Sequence, residues 1–316
     1  MLWLYITLGL IVLIAAAAFV LYLGTLYVKP RRRTLPLVMP DEALQRRMND
    51  ADMNYTLGLT REIIEHPHEK VFIRSYDGLR LAGRFMDLNH DEKAPLVILC
   101  HGYRGTAAAD FRGIFQQVRG LGYNILLINE RAHWESEGST ITLGVRERKD
   151  ILAWANYAAE RVGRDTPIAL FGVSMGAASV LWSTELGLPE NVRAIIADCG
   201  FSTPRGILMS VLGQLKLKFV YPLVWLGAFL FAHIVITGRG PIDAVRKTKL
   251  PILFIHGEID NFVPCDMSRE MYEAAGGEKQ LETFPGAKHL HSCLVDEERY
   301  LGIIGPFLEK HIGNRS

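Results

Sequence analysis

Residues 168–179 read Ile-Ala-Leu-Phe-Gly-Val-Ser-Met-Gly-Ala-Ala-Ser, with Gly172, Ser174 and Gly176 at alternate positions. The apolar run Ile168–Phe171 has the signature of a buried strand, and the small residues after Gly176 open a helical pattern. Passing from strand to helix over one residue requires a sharp turn. Glycines flank the serine because side chains there would collide with the strand and helix being joined. The chain is thus committed to a strand–turn–helix unit that exposes one serine under backbone strain.

The same rhythm runs from Lys70 onward. Strand-like runs occur at 71–75, 79–85, 96–100, 124–129, 168–172, 193–197, 252–256 and 280–284. Helical patterns fall at 109–120, 144–161, 175–186, 267–275 and 296–311. Asp77-Gly78 joins the first two strands as a hairpin. The others alternate with helices, and runs such as Leu96–Cys100 are continuously apolar, as strands covered on both faces are. The expected fold class is α/β: a mostly parallel eight-stranded sheet with helices on both faces.

Ahead of this body, no charged side chain occurs from Leu2 to Val28. As a helix this stretch spans about 40 Å, against about 30 Å of bilayer core. It reads as a transmembrane anchor (1–28) with Trp3, Tyr5, Tyr22 and Tyr27 toward its ends. A cleaved signal peptide is the rival reading, but it calls for a basic leading segment and a shorter apolar core. Lys29, Arg31, Arg32 and Arg33 follow the span, and the positive-inside rule then puts the body in the cytoplasm as a single-pass membrane protein. Residues 29–68 form a basic juxtamembrane linker and a helix capped at Asp41; residues 69–316 form the main domain.

A formal net charge of +1 over 316 residues gives no basic footprint for nucleic acid. Cys100, Cys199, Cys265 and Cys293 are widely spaced and read as free thiols, which agrees with a reducing compartment. His66/His68 and His289/His291 have a spacing that can hold metal. Neither pair is joined by a cysteine or acidic ligand set, so no metal or other cofactor is expected.

Gly-x-Ser-x-Gly on a strand-to-helix turn is the nucleophile elbow. Its serine needs a base to take the hydroxyl proton and an acid to orient the base, in the chain order serine, acid, histidine. Downstream, "PILFIHGEIDNFVP" offers Asp260, with Glu258 and Asp198 as competitors. "FPGAKHLHSC" offers His289 and His291. Arg131, His133 and the charge run Arg146–Asp150 read as loop and helix-surface groups.

From about Glu69 onward the chain resembles the α/β-hydrolase superfamily, particularly bacterial membrane-anchored serine-aminopeptidase-like hydrolases. "LVILCHGYRG", "RAHWESEG", "GVSMG" and the two downstream segments carry the resemblance. It implies Ser174 as nucleophile, Asp260 as acid and His289 as base, with the backbone N–H groups of Tyr103 and Met175 as oxyanion hole. Trp134 departs from it, since relatives commonly carry glycine there. The resemblance also implies a lid between the strands at 193–197 and 252–256, here residues 201–248. Residues 219–238 within it are apolar enough to suggest a second span, which would part Ser174 from Asp260 and His289. A helical lid lining an acyl pocket, or a surface dipping into the bilayer, are the readings left.

The expected activity is serine hydrolysis of an ester, thioester or amide in a small or lipid-like acyl substrate. The other class is a membrane-tethered binding protein of the same fold without turnover.

Overall fold

The computed structural model describes residues 1–29, 50–88, 90–91 and 93–313, with side chains given from residue 57 in the helix at 50–65. Eight strands form one sheet: β1 (Glu69–Arg74), β2 (Arg80–Met86), β3 (Leu96–Cys100), β4 (Asn124–Ile128), β5 (Ile168–Val173), β6 (Val192–Asp198), β7 (Ile252–Gly257) and β8 (Lys279–Phe284). Their order is β1-β2-β4-β3-β5-β6-β7-β8. β2 runs antiparallel to both neighbours, and the other pairings are parallel. Each observed strand overlaps its sequence-derived run.

β3, β4 and β5 are buried along their whole length, which is why their sequences are apolar without alternation. One face of the sheet packs on a layer containing Phe111, Phe171 and Tyr300, the other on a layer containing Trp154, Ile195 and Phe254. These two layers fix the sheet rigidly. The loops at the C-terminal ends of its strands rise from this packed sheet, and ligands of open α/β sheets bind there.

The N-terminal helix Leu2–Thr25 is the one described helix long and apolar enough to cross a membrane. Its first half is exposed, whereas Ala18, Tyr22 and Leu26 are buried against the rest of the chain. The linker expectations at Arg31–Arg33 and the Asp41 cap lie outside the described residues. The following helix is described from Asp50 to Glu65.

Between β6 and β7 the insertion contributes helices Pro204–Gln214, Tyr221–Gly227 and Pro241–Val245. Its most apolar part is helical only over Lys218–Ala232, short of the roughly 20 residues a span needs. This part lies against the N-terminal helix instead, with the Phe231 ring 4.9 Å from that of Phe19.

Candidate active site

β5 ends at Val173 and the next helix begins at Met175, so Ser174 alone makes the turn, with φ 53° and ψ −115°. A side chain at Gly172 would overlap the backbone of Gly176, and one at Gly176 would overlap the Cys100 carbonyl. The two glycines are thus dictated by a helix pressed onto the sheet.

Three side chains meet at this turn. His289 Nε2 lies 2.9 Å from Ser174 Oγ, and His289 Nδ1 lies 2.6 Å from Asp260 Oδ2. Asp260 Oδ1 accepts the backbone N–H groups of Phe262 and Val263 at 2.8 and 2.9 Å. Burial pushes the Asp260 carboxyl up, but hydrogen bonding and charge from His256 and His289 outweigh it and hold it well below the usual carboxylate range. It stays ionised, with Nδ1–H of His289 as donor and Nε2 left to face Ser174.

The competing residues are engaged elsewhere. Glu258 is exposed and accepts the Thr283 hydroxyl at 2.7 Å. Asp198 accepts the Tyr300 hydroxyl at 2.7 Å, and its carbonyl takes the Ser174 N–H. His291 stands at the start of the short helix Ser292–Val295.

The loop after β3 passes close to the serine, where a Cβ on Gly102 would lie 3.2 Å from Ser174 Cβ. Among the described residues, the N–H groups of Tyr103 and Met175 have no backbone acceptor. The neighbours of Tyr103 are braced from the body. Gly102 N–H donates to Asp110 Oδ2 at 2.8 Å, Arg104 N–H donates to His133 Nε2 at 3.0 Å, and the Trp134 indole donates to Gly105 O at 3.0 Å. Burial pulls the His133 imidazole down to about 4 and pushes the Asp110 carboxyl up to about 6. Neutral His133 donates from Nδ1 to the Arg131 carbonyl, which leaves Nε2 as an acceptor. Trp134 takes the left-handed backbone that glycine favours, at φ 48°, and there its indole reaches the loop.

Four residues expected at the surface are buried: Arg131, His133, Glu147 and Asp150. Arg131 is held between Asp150 (2.6 Å) and Asp77 (2.9 Å). Glu147 accepts the N–H groups of Thr142 and Gly144 and the Thr142 hydroxyl. These carboxylates close the loop ahead of their helix, a role that an alternating charge run does not disclose.

All four cysteines are free. The Cys199 sulfur and ligating atoms of Asp260 and His289 lie within 4.8 Å of one another. Burial pushes the Cys199 thiol well up, so without a cation beside it the group stands next to Asp260 and His289 as a protonated thiol.

A hydroxyl, an imidazole and an ionised carboxylate in a hydrogen-bonded line can pass a proton from the hydroxyl to the imidazole. Residues 95–218 match the family described as alpha/beta hydrolase fold. The chain is 24% identical over 222 residues to the YqkD protein of Bacillus subtilis, covering 67% of this chain and 70% of that protein. It is 26% identical over 193 residues to the lysophosphatidylserine lipase ABHD12 of Danio rerio, covering 59% and 49%. Among solved structures, the Pyrococcus furiosus esterase Pf2001 superposes with a TM-score of 0.65 at 22% identity, covering 91% of this chain and 99% of that one. Sheet order, elbow and family match together give this chain the α/β-hydrolase fold.

Proposed function

We propose that the chain is a membrane-anchored serine hydrolase cleaving an ester, thioester or amide bond beside an apolar acyl group. The observation that carries the reading is the unbroken hydrogen-bonded line Ser174–His289–Asp260. Ser174 Oγ attacks the substrate carbonyl while its proton passes to His289 Nε2, and Asp260 stabilises the imidazolium. The Tyr103 and Met175 amides donate to the oxyanion. Its collapse expels the leaving group, which takes the proton from His289. Water then gives a proton to His289 and adds to the acyl-enzyme, releasing the acid and restoring Ser174.

An apolar substrate portion is supported by the insertion. One apolar cluster joins Met175 and Ala178 of the elbow helix to Phe201, Leu208 and Val224 of the insertion and to Val263. Ser174 is only 4% exposed, so its hydroxyl is largely shielded from solvent. Phe219, Phe229 and Leu230 on the insertion are exposed, and the stretch that holds Phe229 and Leu230 packs on the N-terminal helix, which supports lipid-like substrates arriving from the bilayer. The lipase relative, by its name, acts on such a molecule.

The burial of Ala18, Tyr22 and Leu26 supports a retained anchor over a cleaved signal peptide, since cleavage would uncover their partners. Lys29, Arg31–Arg33 and the free cysteines support a cytoplasmic body. Protease added to intact cells then spares the body, and its digestion would overturn that placement.

Each buried methylene contributes about 0.8 kcal/mol, so p-nitrophenyl ester turnover by the full chain in detergent rises from acetate towards octanoate. A flat or falling series would remove the apolar pocket. No turnover of any ester would favour the silent binding protein.

A further inference from the structure

The loop that carries the Tyr103 amide also caps the N-terminal helix. A helix ends in carbonyls without intrahelical partners, at the negative end of its dipole. Leu2–Thr25 has no basic residue in its last turn. The partners come from the loop after β3. The Arg104 guanidinium donates to Gly24 O at 3.2 Å and to Tyr27 O at 3.1 Å, and the Tyr103 hydroxyl donates to Thr25 O. A second contact secures the same end. Val28 N–H donates to Ser139 O, Ile141 N–H donates to Leu26 O, and Tyr22 Oη lies 2.8 Å from Thr140 Oγ1.

Arg104 holds a left-handed backbone at φ 55°, a conformation that persists for a non-glycine residue only where its surroundings over-determine it. His133 holds its amide from the body, and the helix end holds its guanidinium. The Tyr103 N–H lies between the Asp110 brace at Gly102 and this grip at Arg104.

We infer that Tyr103 and Arg104 are positioning residues whose side chains, by gripping the C-terminal end of the N-terminal helix, hold the Tyr103 amide where the oxyanion forms. The inference rests on the hydrolase reading. It makes the anchor a working part of the site, because a helix displaced along its axis carries the loop with it.

The test uses the full chain in detergent micelles, with Tyr103→Phe, Arg104→Gln and Arg104→Lys. Three quantities are measured: kcat and KM for p-nitrophenyl butyrate, and affinity for a trifluoromethyl ketone that forms a tetrahedral adduct on the serine. A displaced oxyanion donor lowers kcat and adduct affinity together, by about tenfold in Tyr103→Phe and Arg104→Gln, with KM within about twofold. Arg104→Lys, which keeps a cation at the helix end, recovers part of the loss. Values of kcat within about twofold of wild type in both variants, or a raised KM with kcat unchanged, overturn the positioning role while leaving the hydrolase reading intact. A wild-type chain without turnover overturns the hydrolase reading and this inference with it.

Discussion

Gly227 and Ala18 meet so closely that a Cβ on Gly227 would fall 2.5 Å from the Ala18 carbonyl oxygen. The insertion and the N-terminal helix cross at that glycine, as helices do where a small residue lets their backbones approach. Gly227→Val should force the two apart. The expected result is faster proteolysis of the insertion around residues 215–240 in detergent, and a lower Tm. Wild-type resistance in the variant would mean that the crossing does not hold the insertion down.

The line from Ser174 to Asp260 predicts that its members act as a unit. Ser174→Ala, His289→Ala and Asp260→Asn should each lower kcat for p-nitrophenyl butyrate by about 10³-fold or more, with Tm near wild type. His291→Ala should stay close to wild type. Should loss follow His291 and spare His289, the base is misassigned.

The brace between His133 and Arg104 has a pH signature. The unfolded chain protonates this histidine near 6.5 and the folded chain only at about 4, so the unfolded state binds more protons between these values. Its contribution to stability is complete above about pH 6.5 and is lost as pH falls towards 4, by at most about 3 kcal/mol. Asp110 and Asp198, which burial pushes up to about 6, act in the opposite sense and are common to wild type and variant. From pH 7 to pH 5, wild-type Tm should therefore fall more than that of His133→Gln. Equal slopes would contradict the buried neutral imidazole.

Arg131 is held by two carboxylates, and Asp150 beside it is equally buried. Removing one partner of a buried ion pair costs about 3–5 kcal/mol because the other charge is stranded. Urea unfolding of Arg131→Met should show a loss of that size; a change under about 1 kcal/mol would place the pair among weak surface bridges.

The sheet was legible because its central strands are apolar on both faces. The order serine, acid, histidine pointed to the two downstream loops, and the family resemblance picked out Asp260 and His289, which the structure brings together with Ser174. The braces of the loop at 101–105 were not legible. Asp110 and His133 act on backbone amides, which no side-chain pattern marks, and Trp134 could be seen only as a departure from glycine. The grip of Tyr103 and Arg104 joins groups 77 to 80 residues apart, a separation at which no periodicity links residues. Glu147 and Asp150 were misread for a related reason: an acidic residue at a helix start looks the same whether it faces water or closes a buried loop.

A serine activated by His289 and Asp260 attacks phosphorus electrophiles that an ordinary serine does not. Reaction of the full chain with a fluorophosphonate, followed by peptide mass mapping, reads that activation, because the probe needs an activated serine. The expected product is one adduct, on Ser174, absent in Ser174→Ala and strongly slowed in His289→Ala. An unlabelled wild-type chain, or an adduct on another residue that survives Ser174→Ala, would contradict that activation.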